Sequence, residues 1–185
     1  MPEKLVQDAE EKMKKAIEAT QRDFATIRTG RASPAVLERI MVDYYGTPTP
    51  IHQVAAVNTP EPRQLAIAPW DKKMLGPIEK AILKSDLNLT PTNDGQMIRL
   101  NFPPLNEERR REMTKTVHKK AEEHKVAVRN IRRDANDEVG KLKKAGKLSE
   151  DDAKRLNDQV QKLTDKFVEQ VERLRAAKDE EVMEV

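Results

Sequence analysis

The chain contains no cysteine, which removes disulfides and thiolate chemistry and fits a reducing compartment. Aromatic residues make up only 3% of its 185 positions, too few for the broad core of a β-sandwich. No apolar run approaches the roughly 20 residues of a spanning helix. The first residues, MPEKLVQDAEEKMKK, are charged where a signal peptide would be apolar. A cytoplasmic protein without membrane contact is expected.

Catalytic signatures are missing as well. His52, His118 and His124 are the only histidines; they form neither HExxH nor an i,i+4 ligand pair, so no metal site is expected. The stretch Gly140-Lys141-Leu142-Lys143-Lys144-Ala145-Gly146-Lys147-Leu148 has its glycines one residue too far apart for a phosphate loop. Leu148 also stands where Ser or Thr is required. No G-x-S-x-G elbow occurs. Adjacent acids such as Asp151-Asp152 diverge by roughly 100° on a helix and cap it more readily than they catalyse. These exclusions predict a non-enzyme with no cofactor.

What the chain does have is charge, 36% of its residues, with Lys+Arg 35 against Asp+Glu 32. The near balance hides a local asymmetry. Between Arg109 and Arg133 there are ten Lys or Arg against three Glu, whereas Glu150–Val185 carries seven basic and eleven acidic residues. At roughly 100° per residue, Met113, Val117, Ala121, Val128, Ile131, Ala135, Val139 and Leu142 share one stripe of a helix. Arg111, Lys115, His118, Lys125, Arg129, Arg132 and Arg133 fall on the adjoining face, with Glu122 the single intruder. Glu112, Glu123, Asp134, Asp137 and Glu138 occupy the remaining side. A local excess of one sign steers an oppositely charged partner, and Arg forks match phosphate oxygens. The basic face therefore points to nucleic acid, and the apolar face to other helices.

Proline marks the domain organisation: of eleven, all but Pro2 lie between Pro34 and Pro104. The flanks read as helices. Leu5, Ala9, Met13, Ala16, Ile17, Thr20, Phe24 and Ile27 recur at helical spacing in the first. In the last, Leu156, Val160, Leu163, Phe167, Val171 and Leu174 form a seam behind a Ser149 cap with acids in its first turn. Gly140 and Gly146 are expected to punctuate the connection before it. Three striped helices predict an elongated bundle made of residues 1–29 and 106–185, each helix about 25 to 35 residues long. Residues 30–105 read as a small inserted α+β domain with a β/α/β pattern. Its expected strands are Ile40-Met41-Val42, Val54-Ala55-Ala56-Val57, Leu65-Ala66-Ile67 and Met97-Ile98-Arg99-Leu100, with a short helix over Lys72–Lys84. The two crossings, Thr29-Gly30-Arg31 and Pro103-Pro104-Leu105, combine a permissive glycine with stiff prolines and suggest a hinge.

Four segments carry a resemblance: Ile27-Arg28-Thr29-Gly30-Arg31-Ala32-Ser33-Pro34, Tyr44-Tyr45-Gly46-Thr47-Pro48-Thr49-Pro50, Pro103-Pro104-Leu105 with Glu107-Glu108-Arg109-Arg110, and Val126-Ala127-Val128-Arg129-Asn130-Ile131-Arg132-Arg133-Asp134. In this order the chain closely resembles the ribosome recycling factor family from end to end. One departure is Asn88, where the family pattern usually has Gly; Asn is the residue after Gly that best tolerates a left-handed backbone. The resemblance implies an L-shaped two-domain factor, a monomer in solution, that binds the large ribosomal subunit. With elongation factor G and GTP it would split post-termination ribosomes. It also implies that Arg129, Arg132 and Arg133 lead the contacts to ribosomal RNA, with Lys125 and Arg111 supporting and Arg28 and Arg31 as weaker candidates. Lys115 and His118 complete the basic stripe. The competing reading is a helical-bundle interaction protein for another folded RNA or an acidic protein partner. Because Tyr44, Tyr45 and Trp70 lie away from the stripe, RNA would be read through phosphates and shape rather than by stacking.

Overall fold

The computed structural model describes residues 2–184 and divides the chain into two compact units. One combines the chain up to Ile27 with Glu108–Met183; the other is Arg28–Glu107, with Glu184 grouped beside it.

The first unit holds three helices, α1 (Pro2–Ala25), α3 (Glu107–Lys144) and α4 (Glu150–Met183). Their apolar stripes cover one another. Leu5 and Ala9 of α1, Ala135 and Val139 of α3, and Leu156 and Val160 of α4 form one buried cluster. Met13, Val128 and Phe167 form a second. Each of the larger side chains among these, Leu, Val, Met and Phe, contributes roughly 1.5 to 3 kcal/mol on burial, which is what stabilises helices this polar. Thr20 and Thr164 are buried in the same seams. Each satisfies its hydroxyl by donating to the carbonyl four residues back, Ala16 and Val160, at 2.8 Å.

Gly140 does not punctuate the chain; it lies inside α3, which runs 38 residues, about 57 Å at 1.5 Å per residue. Gly146 alone ends the helix. Its φ is +73°, its N–H donates to the Lys143 carbonyl at 3.0 Å, and the Lys147 N–H donates to Leu142 at 2.9 Å. That pair of bonds is a Schellman motif, which needs a left-handed residue at this one position and none at Gly140. Ser149 then caps α4, its hydroxyl accepting from the Asp152 N–H at 3.0 Å, with Glu150, Asp151 and Asp152 in the first turn.

The second unit has six strands where four were expected. β1 (Met41–Tyr44) and β2 (Thr47–Pro50) form an antiparallel hairpin. β3 (Ala55–Glu61), β4 (Gln64–Pro69), β5 (Pro91–Asn93) and β6 (Ile98–Asn101) form an antiparallel sheet in the order β3-β4-β6-β5. The unexpected strands, β2 and β5, contain prolines and no apolar run. Both lie at sheet edges, where a missing N–H costs no ladder bond. The predicted helix begins as a 3-10 turn at Lys72–Met74 and continues as α2 (Leu75–Lys84). Its Ile78 and Ile82 pack on Val42, Ile67, Ile98 and Leu100. Asn88 has φ +56°, the left-handed backbone for which the family's glycine is suited. The β1–β2 turn places Tyr45 at φ +50° and Gly46 at φ +86°, a two-residue reversal that Asn-Gly usually occupies. Tyr45 is held there in part by its hydroxyl, which donates to Asp71 at 3.0 Å.

Candidate nucleic-acid interface

The basic stripe of α3 separates into two edges. His118, Lys125 and Arg132 recur every seven residues, so they stay on nearly one line of the helix. That line faces α4. Arg132 Nη1 donates to Oε1 of Gln161 at 3.4 Å. Lys125 Nζ sits 2.6 Å from Glu172 and 3.2 Å from Glu122. His118 Nε2 is 3.0 Å from Asp179 and 3.0 Å from Arg175. As the α3 number falls from 132 to 118 the α4 number rises from 161 to 179, the register of two antiparallel helices.

The other edge is open. Lys115, Arg129 and Arg133 are exposed, and among the described residues no carboxylate lies within ion-pair distance of them. Arg111 is exposed near the start of α3. Lys115, Arg129 and Arg133 can meet phosphate oxygens without first giving up a carboxylate.

Electrostatics distinguish the two edges. Hydrogen bonds from Arg175 and then Lys125 hold the Glu172 carboxyl at about 2, well below its ordinary 4.5. The Glu172 contact in turn pushes Lys125 up. The Lys125 side chain is only 14% exposed, so it is a strut between helices rather than an open cation. His118 also meets α4, at Asp179 and Arg175, but its side chain stays 53% exposed. Helical periodicity puts both on the basic face correctly but carries no record of what α4 sets opposite them. Glu172, Arg175, Asp179 and Gln161 escape a reading of α3 alone for that reason. The signal that could find them is the nearly constant sum of paired residue numbers along two antiparallel helices, which stays within one helical turn from pair to pair.

The residues of the two crossings lie in the second unit. Arg28 is exposed, and Arg31 pairs with Glu184, so Arg31 is less available to a phosphate than its exposure suggests. The Arg31 N–H donates to the Thr29 hydroxyl at 3.2 Å. Gly30 has no left-handed φ. A Cβ there would meet the Leu105 nitrogen and the Pro104 Cα at 3.5 Å, so the two connecting segments run side by side. Beyond them, the Ala32 N–H donates to Pro62 and the Phe102 N–H to Arg63, each at 2.7 Å. The turn between β3 and β4 thus pins both segments.

No group of three or more His, Asp or Glu among the described residues is placed to hold a metal ion. No described helix is long and apolar enough to cross a membrane.

Comparison with known proteins agrees over both units. The family model described as Ribosome recycling factor matches residues 20–183. The chain is 59% identical over 180 residues to a ribosome-recycling factor of Caldicellulosiruptor bescii, covering 97% of this chain and 98% of that one. It is 55% identical to that of Carboxydothermus hydrogenoformans over the full length of both. A solution structure of the ribosome recycling factor superposes with TM-score 0.77 at 44% identity, covering 100% of this chain and 98% of the other. A second structure superposes with TM-score 0.68 at 42% identity over all of both chains. It describes the T. thermophilus ribosome recycling factor and E. coli elongation factor G bound to the E. coli post-termination complex. With relatives this similar along its whole length, the chain belongs to the ribosome recycling factor family.

Proposed function

We propose that this protein recycles ribosomes after translation termination. It binds the large subunit through ribosomal RNA and, with elongation factor G and GTP, separates the post-termination ribosome into subunits. The observation that carries this reading is the family match across both units, at up to 59% identity with relatives named for that task. It acts in the cytoplasm and is a binding factor rather than an enzyme; the free energy for splitting comes from GTP on its partner.

On this reading the open edge of α3 is the RNA contact. Arg129 and Arg133 offer guanidinium forks to phosphate, Arg132 adds a third beside Gln161, and Lys115 and Arg111 extend the row. Such contacts position the protein without reading bases. The connecting segments, Thr29-Gly30-Arg31 and Pro103-Pro104-Leu105, serve as a hinge on which the small domain turns while the bundle stays bound. Two observations support this: the β3–β4 turn holds the far ends of both segments, and little side-chain bulk separates them at Gly30.

The test is an Arg129→Ala/Arg132→Ala/Arg133→Ala variant titrated onto large ribosomal subunits at several salt concentrations. Binding should weaken, and the salt slope should fall by about 0.7 to 0.9 for each phosphate whose arginine is removed. Helical content should stay the same, because none of the three lies on the buried seam. Unchanged affinity and slope would remove this face from the mechanism.

A further inference from the structure

We propose that α4 determines which basic residues of the α3 stripe reach phosphate: Glu172 withholds Lys125 and Asp179 engages His118, while the neutral amide of Gln161 presents Arg132 with its charge intact. The inference rests on the RNA-binding role given to the stripe and adds the residues that limit its footprint.

The three rungs between the helices differ in the partner that α4 supplies. At the lower two, Lys125 and Arg175 face Glu122, Glu172 and Asp179, so two cations meet three acids and no positive charge is left over. A phosphate approaching Lys125 would have to displace a carboxylate already 2.6 Å away. At the upper rung the partner is an amide. Gln161 accepts from Arg132 through Oε1 and donates through Nε2 to Asp165 at 2.9 Å. The donation to Asp165 keeps the amide oxygen turned toward the guanidinium. Arg132 is therefore steadied by a group that leaves its net charge untouched, and Gln161 is a positioning residue for it.

An unbroken row of available cations would bind any polyanion, since phosphate contacts carry no sequence information. With Lys125 and His118 engaged, the open charge gathers at Arg129, Arg132 and Arg133, with Lys115 apart toward the start of α3, a broken footprint that favours an RNA whose folded shape delivers phosphates to those spots. Glu172 and Gln161 are thus specificity-determining residues although neither is basic.

Two isosteric substitutions test this in the full-length protein, with large ribosomal subunits and an unrelated RNA duplex as ligands across a salt series. Glu172→Gln should strengthen duplex binding severalfold and steepen its salt slope by about 0.9, because Lys125 then keeps only the 3.2 Å contact to the exposed Glu122. The double variant Glu172→Gln/Lys125→Gln should return the duplex slope to that of the parent. Gln161→Glu should weaken large-subunit binding severalfold and lower that slope by about 0.7 to 0.9, with helical content maintained because Gln161 is exposed and the thermal midpoint lowered only slightly by the new carboxylate beside Asp165. A purely structural role for these residues would move the thermal midpoint and leave the slopes alone. Unchanged slopes in both Glu172→Gln and Gln161→Glu overturn the inference. If the Arg129/Arg132/Arg133 variant nevertheless loses subunit binding, the failure belongs to the α4 partners and not to the RNA-binding face.

Discussion

The Lys120 ammonium on α3 lies 2.6 Å from Oδ1 of Asp23 on α1, and the same carboxylate takes His124 Nε2 at 2.8 Å through its other oxygen. Burial pushes the Asp23 carboxyl up, but these two hydrogen bonds outweigh it and hold the group below its ordinary value. The imidazole also stands edge-on to Phe24 at 6.2 Å, so one residue pair joins the polar and apolar contacts between α1 and α3. Asp23→Ala should lower stability by about 1 kcal/mol, since it strips the acceptor from two partly buried donors. The urea midpoint, at constant m-value, is the measurement; no shift would mean that water replaces the carboxylate without cost.

Glu172 makes the bundle sensitive to acid. Its carboxyl titrates near 2 in the folded protein and near 4.5 when unfolded, so between those values the unfolded chain binds more protons. Stability must therefore rise with pH across that window. The contribution is complete above about pH 5 and is lost as pH falls toward 2. In thermal unfolding at stepped pH, Glu172→Gln should flatten the dependence in this window compared with the parent. An identical slope in the two proteins would show that the Lys125 and Arg175 contacts are not maintained in solution.

The two glycines of the α3 end should respond with opposite sign. Gly146 is held at φ +73°, where a side chain costs roughly 1 to 2 kcal/mol, so Gly146→Ala should destabilise by about that amount. Gly140 is inside the helix with nothing within 4 Å of an added Cβ. Gly140→Ala should stabilise by up to about 1 kcal/mol through helix propensity. Circular dichroism melts decide it, and a loss of stability at Gly140 would mean that α3 is interrupted there after all.

Loosening the connecting segments should separate binding from splitting. Pro103→Gly/Pro104→Gly frees a backbone that proline holds near φ −65°; large-subunit affinity should hold while GTP-dependent subunit separation slows severalfold. Gly30→Ala should fold normally, because its methyl group would make only ordinary contacts at 3.5 Å. Light scattering with elongation factor G reads the splitting rate. A Pro103/Pro104 variant that splits ribosomes at the parent rate would leave the segments as a mere connection.

Much of this architecture is legible in the residue order, for identifiable reasons. Leu156, Val160, Phe167 and Val171 repeat at a helix's own period, so their burial in α4 follows from spacing. Ser149 before three acids announces a helix start, and its hydroxyl caps Asp152. The strands β2 and β5 escape because short edge strands are made by their neighbours' hydrogen bonds rather than by their own side chains. Gly140 misleads because a glycine in a helix and a glycine after one look alike until the bonds of the last turn are known.

The amino-acid sequence by itself determined that α3 has an apolar face, a basic face and an acidic side, because a helix maps residue number onto angle. It also carried the family membership, through motifs that lie in order from Ile27 to Asp134. Only the tertiary structure decided which basic residues stay available. Lys125 and Arg129 are four residues apart on one face, yet Lys125 meets Glu172 at 2.6 Å and Arg129 is exposed to solvent. Ion pairing depends on what a second helix brings within a few ångströms, and that neighbour stands 47 residues further along the chain from Lys125.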